Sequence, residues 1–108
     1  NSMVRIPIHR EPTRPGEMLL EEFLIPMGMS QRELAHAIHI SYPRINEIVK
    51  GHRRVTPSVA LRLAKFLGMS ADFWMNLQLR WDLYYAERSE NLDLRQIQPY
   101  RTLTRATV

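Results

Sequence analysis

The sequence predicts an all-α protein, a bundle of five helices, and three observations carry that prediction. Signals that end one helix and start the next recur at short intervals, foremost Gly28-Met29-Ser30 and Gly68-Met69-Ser70. Ser30-Gln31-Arg32-Glu33 is a complete capping box. No stretch alternates apolar and polar residues for long enough to argue a sheet.

The elements follow in chain order. Residues 1–12 include Pro7 and Pro12 and read as an extended arm. Asn1 and Ser2, ahead of Met3, read as appended residues with no part in the fold. Residues 13–90 are expected to form the domain. Residues 91–108 are a tail whose order is open, and Tyr100 to Val108 suits either a short strand or a disordered end. Pro15 stands at a first-turn position and opens the first helix, 16–24, with Leu19, Leu20, Phe23 and Leu24 as its buried stripe. Pro26 is expected to stop it.

Ser30 then caps a helix running from Gln31 to about Ile38, which buries Leu34, Ala35 and Ile38. Met29 is placed to staple onto Leu34, as Met69 is onto Trp74. His39-Ile40-Ser41 breaks the chain, and Ser41 caps a third helix that tolerates Pro43 in its first turn. Ile45, Ile48 and Val49 face inward there, and Gly51 ends it. Thr56-Pro57 opens a fourth helix with Val59, Ala60, Leu63, Ala64 and Leu67 at helical spacing. Ser70 opens a fifth, reaching about Tyr85.

Composition narrows the function classes. No apolar run approaches the ~20 residues of a membrane span, and Ile6-Pro7-Ile8-His9-Arg10 lacks the apolar core of a secretory leader. The chain has no cysteine, which excludes disulfides, thiolate chemistry and cysteine-based zinc sites. A reducing cytoplasm is the expected compartment. Net charge is +4, and its distribution is uneven. Between Ser30 and Ser70, Arg32, Arg44, Lys50, Arg53, Arg54, Arg62 and Lys65 face only Glu33 and Glu47, a net +5. Nucleic acid is the partner such a segment suits.

The second and third helices, joined by three residues, have the lengths of a helix-turn-helix. Ala35 is the small residue needed where the helices cross, Ile40 the apolar residue of the turn, and Ile45 and Ile48 the inward pair. Tyr42, Arg44, Asn46, Glu47 and Lys50 remain on the outer side of the third helix. A plain helical hairpin with a solvated charged face has the same spacing. The +5 segment, together with the full set of cap, turn and packing residues, favours the DNA-binding motif.

These residues carry a resemblance. Ser30-Gln31-Arg32-Glu33-Leu34-Ala35, Ile40-Ser41 and Arg44-Ile45-Asn46-Glu47-Ile48-Val49-Lys50-Gly51 resemble the Xre, or phage-repressor, helix-turn-helix, whose fold is lambda-repressor-like. Pro15-Gly16-Glu17, Gly51-His52-Arg53-Arg54-Val55-Thr56, Ala60-Leu61-Arg62-Leu63-Ala64 and Phe73-Trp74-Met75-Asn76-Leu77-Gln78 narrow it to the HigA (VapI) antitoxin family, over about residues 13–85. One departure from the general repressor pattern is His39, where the turn usually has glycine, so a positive φ is expected there. The resemblance implies a homodimeric repressor of its own operon that also neutralises a HigB-type, mRNA-cleaving toxin. The alternative in the same fold is a stand-alone prophage-type or housekeeping repressor.

Roles for single residues follow. Gln31 resembles the family position that donates to a phosphate at a helix N-terminus. Tyr42, Arg44 and Glu47 are the candidates for reading base edges, Arg44 foremost because its fork matches guanine O6 and N7. Ser41, Asn46, Lys50, Arg53 and Arg54 are expected at the DNA backbone. On the fifth helix, Phe73, Trp74, Leu77, Trp81, Tyr84 and Tyr85 form one broad face. Met75, Leu79 and Leu83 form another, expected to meet a second copy or the toxin. His36 and His39 stand three apart, with Glu33 near, but no third ligand at metal spacing accompanies them. A metal-dependent hydrolase is therefore not the reading, and neither a metal nor a cofactor is expected. Adjacent Glu21 and Glu22 diverge on a helix and cannot act as an acid–base pair.

Overall fold

The computed structural model describes residues 10–100, and all regular structure among them is helical. Helix α1 covers 15–27 as one run: an α-helical Pro15–Met18, a π-type turn Leu19–Leu24 and an α-helical Ile25–Met27. It is followed by α2 (Gln31–Ile38), α3 (Tyr42–Lys50), α4 (Pro57–Leu67), α5 (Ala71–Ser89) and α6 (Asn91–Gln96). The five expected helices are present, and α6 is a sixth, inside the segment read as a tail of open order. Residues 10–14 carry no helix or strand. Readings for 1–9 and 101–108 lie outside the described residues.

Two boundaries differ from expectation, each for a local reason. Pro26 does not stop α1. The Ile25 N–H reaches back five residues to the Leu20 carbonyl, so the ladder is already widened where Pro26 has no N–H to give. Gly28, at φ 65°, ends the helix two residues later. Helix α5 runs four residues past Tyr85, through the good helix formers Ala86, Glu87 and Arg88. Arg88 also lies over the Tyr84 ring, 5.2 Å from its centroid.

The caps fall where the sequence placed them. Ser30 Oγ accepts from the Glu33 N–H at 3.0 Å while Glu33 Oε1 accepts from the Ser30 N–H at 2.8 Å. Ser41, Thr56 and Ser70 each accept a backbone N–H of the helix they precede. Helix α2 ends on His39 at φ 60°, the one non-glycine residue with positive φ among the described residues. The Arg62 guanidinium donates to the Ile38 and His39 carbonyls at 2.9 and 3.3 Å. This supplies partners to carbonyls that a helix end leaves open and ties α4 to the turn.

The core gathers Leu19 and Leu24 from α1, Leu34 from α2, Ile45 and Ile48 from α3, Val59 and Leu63 from α4, and Trp74 from α5. Phe23 and Phe73 stack against Trp74, with ring centroids 5.3 and 5.1 Å away. Leu20, Phe23, Ala64 and Leu67 are half-buried rather than buried, on the margin of this core. No helix among the described residues is long and apolar enough to cross a membrane.

Helix α1 crosses α3 at Gly16, which is buried. A Cβ there would stand 1.9 Å from the Ile48 carbonyl oxygen, inside any permissible contact. Beside it, Arg14 Nη1 donates to the Val49 carbonyl at 2.7 Å. Because the obstacle is backbone, it cannot swing aside. Gly16→Ala should therefore cost about 3 kcal/mol, the upper part of the range for overpacking, and lower the urea midpoint with little change in slope. A wild-type midpoint in that variant would show the crossing to be loose.

Candidate nucleic-acid interface

Helices α2 and α3 meet across the three-residue turn 39–41. The Ile40 N–H donates to the Ala35 carbonyl at 3.0 Å, closing the turn tightly. Ala35 is buried at the crossing, Ile40 fills the turn, and Ile45 and Ile48 point inward, each almost fully buried. Val49 is buried as well, and the other side chains of α3 are left half-buried or exposed.

The structure brings the predicted site residues together in linked pairs. Asn46 Nδ2 donates to Gln31 Oε1 at 2.9 Å, joining the first residue of α2 to the middle of α3. Tyr42 lies beneath Arg32, whose guanidinium carbon is 4.0 Å from the ring centroid. Arg44 is half-buried and donates from Nη2 to Thr56 Oγ1 at 3.4 Å, a weak bond. It leans on the N-cap of α4 instead of standing free. Glu47 Oε1 accepts from Arg53 Nε at 2.8 Å, and Arg54 Nη2 donates to Asp82 Oδ2 at 2.7 Å. Lys50 is exposed in the last turn of α3. Ser41 acts as N-cap, its Oγ accepting from the Arg44 N–H.

Helix α5 braces this assembly from behind. Gln78 is 5% exposed; its Oε1 accepts from the Val55 N–H at 2.8 Å and its Nε2 donates to Asp82 Oδ1 at 3.0 Å. The turn after α3 is thus held by a polar chain running Val55, Gln78, Asp82, Arg54. Of the predicted interface residues on α5, Leu79 and Leu83 are 52% and 59% exposed. Met75 is instead half-buried against the protein's own core.

Residues 20–74 match the helix-turn-helix family model. Virulence-associated protein I of Dichelobacter nodosus is 49% identical over 76 residues, 70% of each chain. Antitoxin HigA-1 of Vibrio cholerae is 39% identical over 75 residues, 69% of this chain and 70% of the relative. The structure of Pseudomonas aeruginosa antitoxin HigA with the higBA promoter superposes with a TM-score of 0.79 at 37% identity, over 82% of this chain and 98% of that one. The chain belongs to the helix-turn-helix family, among the HigA antitoxins.

Within this HigA-type fold, sequence reading missed three contributors. Arg32 reads as one more surface cation, and only the packing of α2 on α3 sets it over Tyr42. Gln78 and Asp82 stand four apart on one helix face, which was the available signal, but their targets lie more than twenty residues away in sequence. Arg53 and Arg54, expected at the DNA backbone, each also have a carboxylate partner.

Asp82 titrates accordingly. Burial raises its pKa and is the largest single influence. Hydrogen bonds from Arg54 and Gln78, with the charge of Arg54, together outweigh it and leave the carboxyl below its ordinary value of 3.8. The stabilisation is therefore complete above 3.8 and is lost as pH falls through the lower folded value. Asp82→Asn should be less stable than wild type at neutral pH, and the gap between their denaturation midpoints should close as pH falls below 3.8 and through the lower folded value. A gap that persists unchanged into acid would show that the carboxylate charge does not matter.

Proposed function

We propose that this protein represses its own operon by binding operator DNA as a homodimer, with α3 in the major groove, and that it is the antitoxin partner of a HigB-type toxin. The observation that carries the DNA reading is the outer side of α3, where Tyr42, Arg44, Asn46, Glu47 and Lys50 follow an inward face held by backbone contacts and by Gln31. A rigid helix with polar groups on its open side is what reading base edges requires. The promoter-bound relative supports the same docking. The function is binding and not catalysis, and the DNA it serves lies in the cytoplasm.

In this docking, Arg44 exchanges its weak bond to Thr56 for a base. Lys50, Arg53 and Arg54 meet phosphates, and Gln31 and Ser41 sit at the backbone by the helix N-termini. Arg53 and Arg54 each spend one guanidinium nitrogen on their carboxylates, so the other donors are open to DNA. Two copies related by a two-fold axis would set their α3 helices about 34 Å apart, one turn of DNA.

Binding to DNA from the protein's own promoter, followed by fluorescence anisotropy, tests this. Arg44→Ala should cost about 1–3 kcal/mol on the operator and relax preference at one base pair. Lys50→Ala should weaken binding to operator and unrelated DNA alike and reduce the salt slope by about one. A wild-type protein that does not distinguish its promoter from unrelated DNA would remove the repressor reading.

The toxin reading rests on family membership, with a charge pattern in support. From Ala71 to Glu90, Asp72, Asp82, Glu87 and Glu90 outnumber Arg80 and Arg88, a net −2 opposite in sign to the DNA-binding segment. A cationic partner can therefore dock without competing for the DNA surface. The small gene beside this one should arrest growth when expressed alone and be neutralised on co-expression, the two proteins co-purifying. A harmless neighbour, or failure to co-purify, leaves a stand-alone repressor.

A further inference from the structure

An open groove of about 470 Å³ lies between the end of α2 and the outer side of α4, lined by Ile38, His39, Leu61, Arg62, Lys65 and Phe66 among others. Leu61 is 63% and Phe66 39% exposed, so its apolar floor faces solvent. No acidic residue lines it, and its charge comes from Arg62 and Lys65. A surface of this kind suits an apolar segment that carries carboxylates.

The chain itself has such a segment. On α6, Leu92 and Leu94 are 72% and 43% exposed, and Ile97, the residue just after it, is 68% exposed. Leading into and along it, Glu87, Glu90 and Asp93 recur every third residue and outnumber Arg88 and Arg95. A six-residue helix this exposed has little to hold it in isolation. It cannot reach the groove of its own chain. The short Gly68-Met69-Ser70 turn keeps Phe66 near the start of α5, whereas α6 begins beyond the far end of that 19-residue helix, about 27 Å away at 1.5 Å per residue.

We propose that the α4 groove receives α6 of a second copy, in a two-fold exchange of C-terminal segments. Leu79 and Leu83 lie near the middle of α5 and are exposed. Two α5 helices crossing antiparallel at these residues bring the end of each beside the start of the other. Each α6 then lies by the other copy's α4, with Leu94 and Ile97, three apart on one side of the helix, on Leu61 and Phe66, and Asp93 beside them facing Lys65. The contact is isologous, so each pairing occurs twice.

The inference rests on the homodimer reading, and sedimentation equilibrium of the full chain separates the two. Wild type should be a dimer at micromolar concentration. Lys65→Glu and Asp93→Lys should each raise the dimer dissociation constant at least tenfold, and the double variant should recover most of the loss. Leu94→Asp with Ile97→Asp should weaken the dimer at least as much, while circular dichroism stays that of a folded helical protein. A monomeric wild type overturns the homodimer reading and this inference together. A dimer lost in Leu79→Asp with Leu83→Asp, yet indifferent to changes at 65, 93, 94 and 97, overturns the exchange alone. A double charge variant no better than the singles overturns it as well.

Discussion

The contact of α1 backbone with α3 backbone at Gly16 is the constraint on which the presented surface depends. Helix α3 has nine residues, too few to be stable alone, and its attitude comes entirely from what lies behind it. Leu34 and Ala35 seat it from α2, and Gly16 lets α1 come against the Ile48 carbonyl with no side chain between. Arg14 then takes the Val49 carbonyl one residue on. Backbone-to-backbone seating leaves few rotamers free to shift the helix. Reading base edges demands positional accuracy of this order, since a loosely held side chain loses the geometry of a bidentate bond.

Around that seat, polar bonds close the places where helices would otherwise leave open groups. His39 adopts a left-handed conformation that costs a non-glycine residue about 1–2 kcal/mol, and the turn is secured by the Ile40 N–H and by Arg62. Val55 enters the core at the end of the turn after α3, and its N–H would be unpaired there without Gln78. A buried donor lacking an acceptor costs about 1–3 kcal/mol, so Gln78 fixes where that turn lies. Arg54 inherits its position through Asp82.

The charged pairs at the site have a different character. Glu47 with Arg53 and Asp82 with Arg54 are exposed, with side-chain accessibilities between 37% and 56%. Pairs of this kind contribute about 0–1 kcal/mol. They hold the arginines near one arrangement without binding them strongly. A phosphate offered to the same guanidiniums meets donors already in place and displaces little. In the proposed docking the arginines are thus oriented before DNA arrives, at small cost.

Local chemistry was legible along the whole chain. Ser30, Ser41, Thr56 and Ser70 begin helices because a side-chain oxygen can accept a free N–H, and Gly28, Gly51 and Gly68 end them because only glycine enters the left-handed region freely. Those effects act within four residues, as do the apolar spacings that named Leu34, Ile45, Ile48, Val59, Leu63 and Trp74 as core. Pro26 misled because its expected effect assumes a regular ladder before it, and the preceding π-type turn removes that condition. Met75 shares a wheel face with Leu79 and Leu83 but packs on the core, since a helical wheel sorts residues by angle and not by what the rest of the chain places opposite.

The sequence by itself determined the helices, their caps, the helix-turn-helix spacing and the set of residues left on the outer side of α3. Only the tertiary structure decided how those residues are held: Gln31 by Asn46, Tyr42 under Arg32, Arg44 against Thr56, and Arg54 through Asp82 and Gln78. It also decided that Gly16 serves a helix crossing and not a turn. The physical reason is range. Capping and periodicity act between neighbours a few residues apart, whereas these contacts, the Gln78–Asp82 bond apart, join residues from about ten to more than thirty positions apart, which meet only once the core has packed.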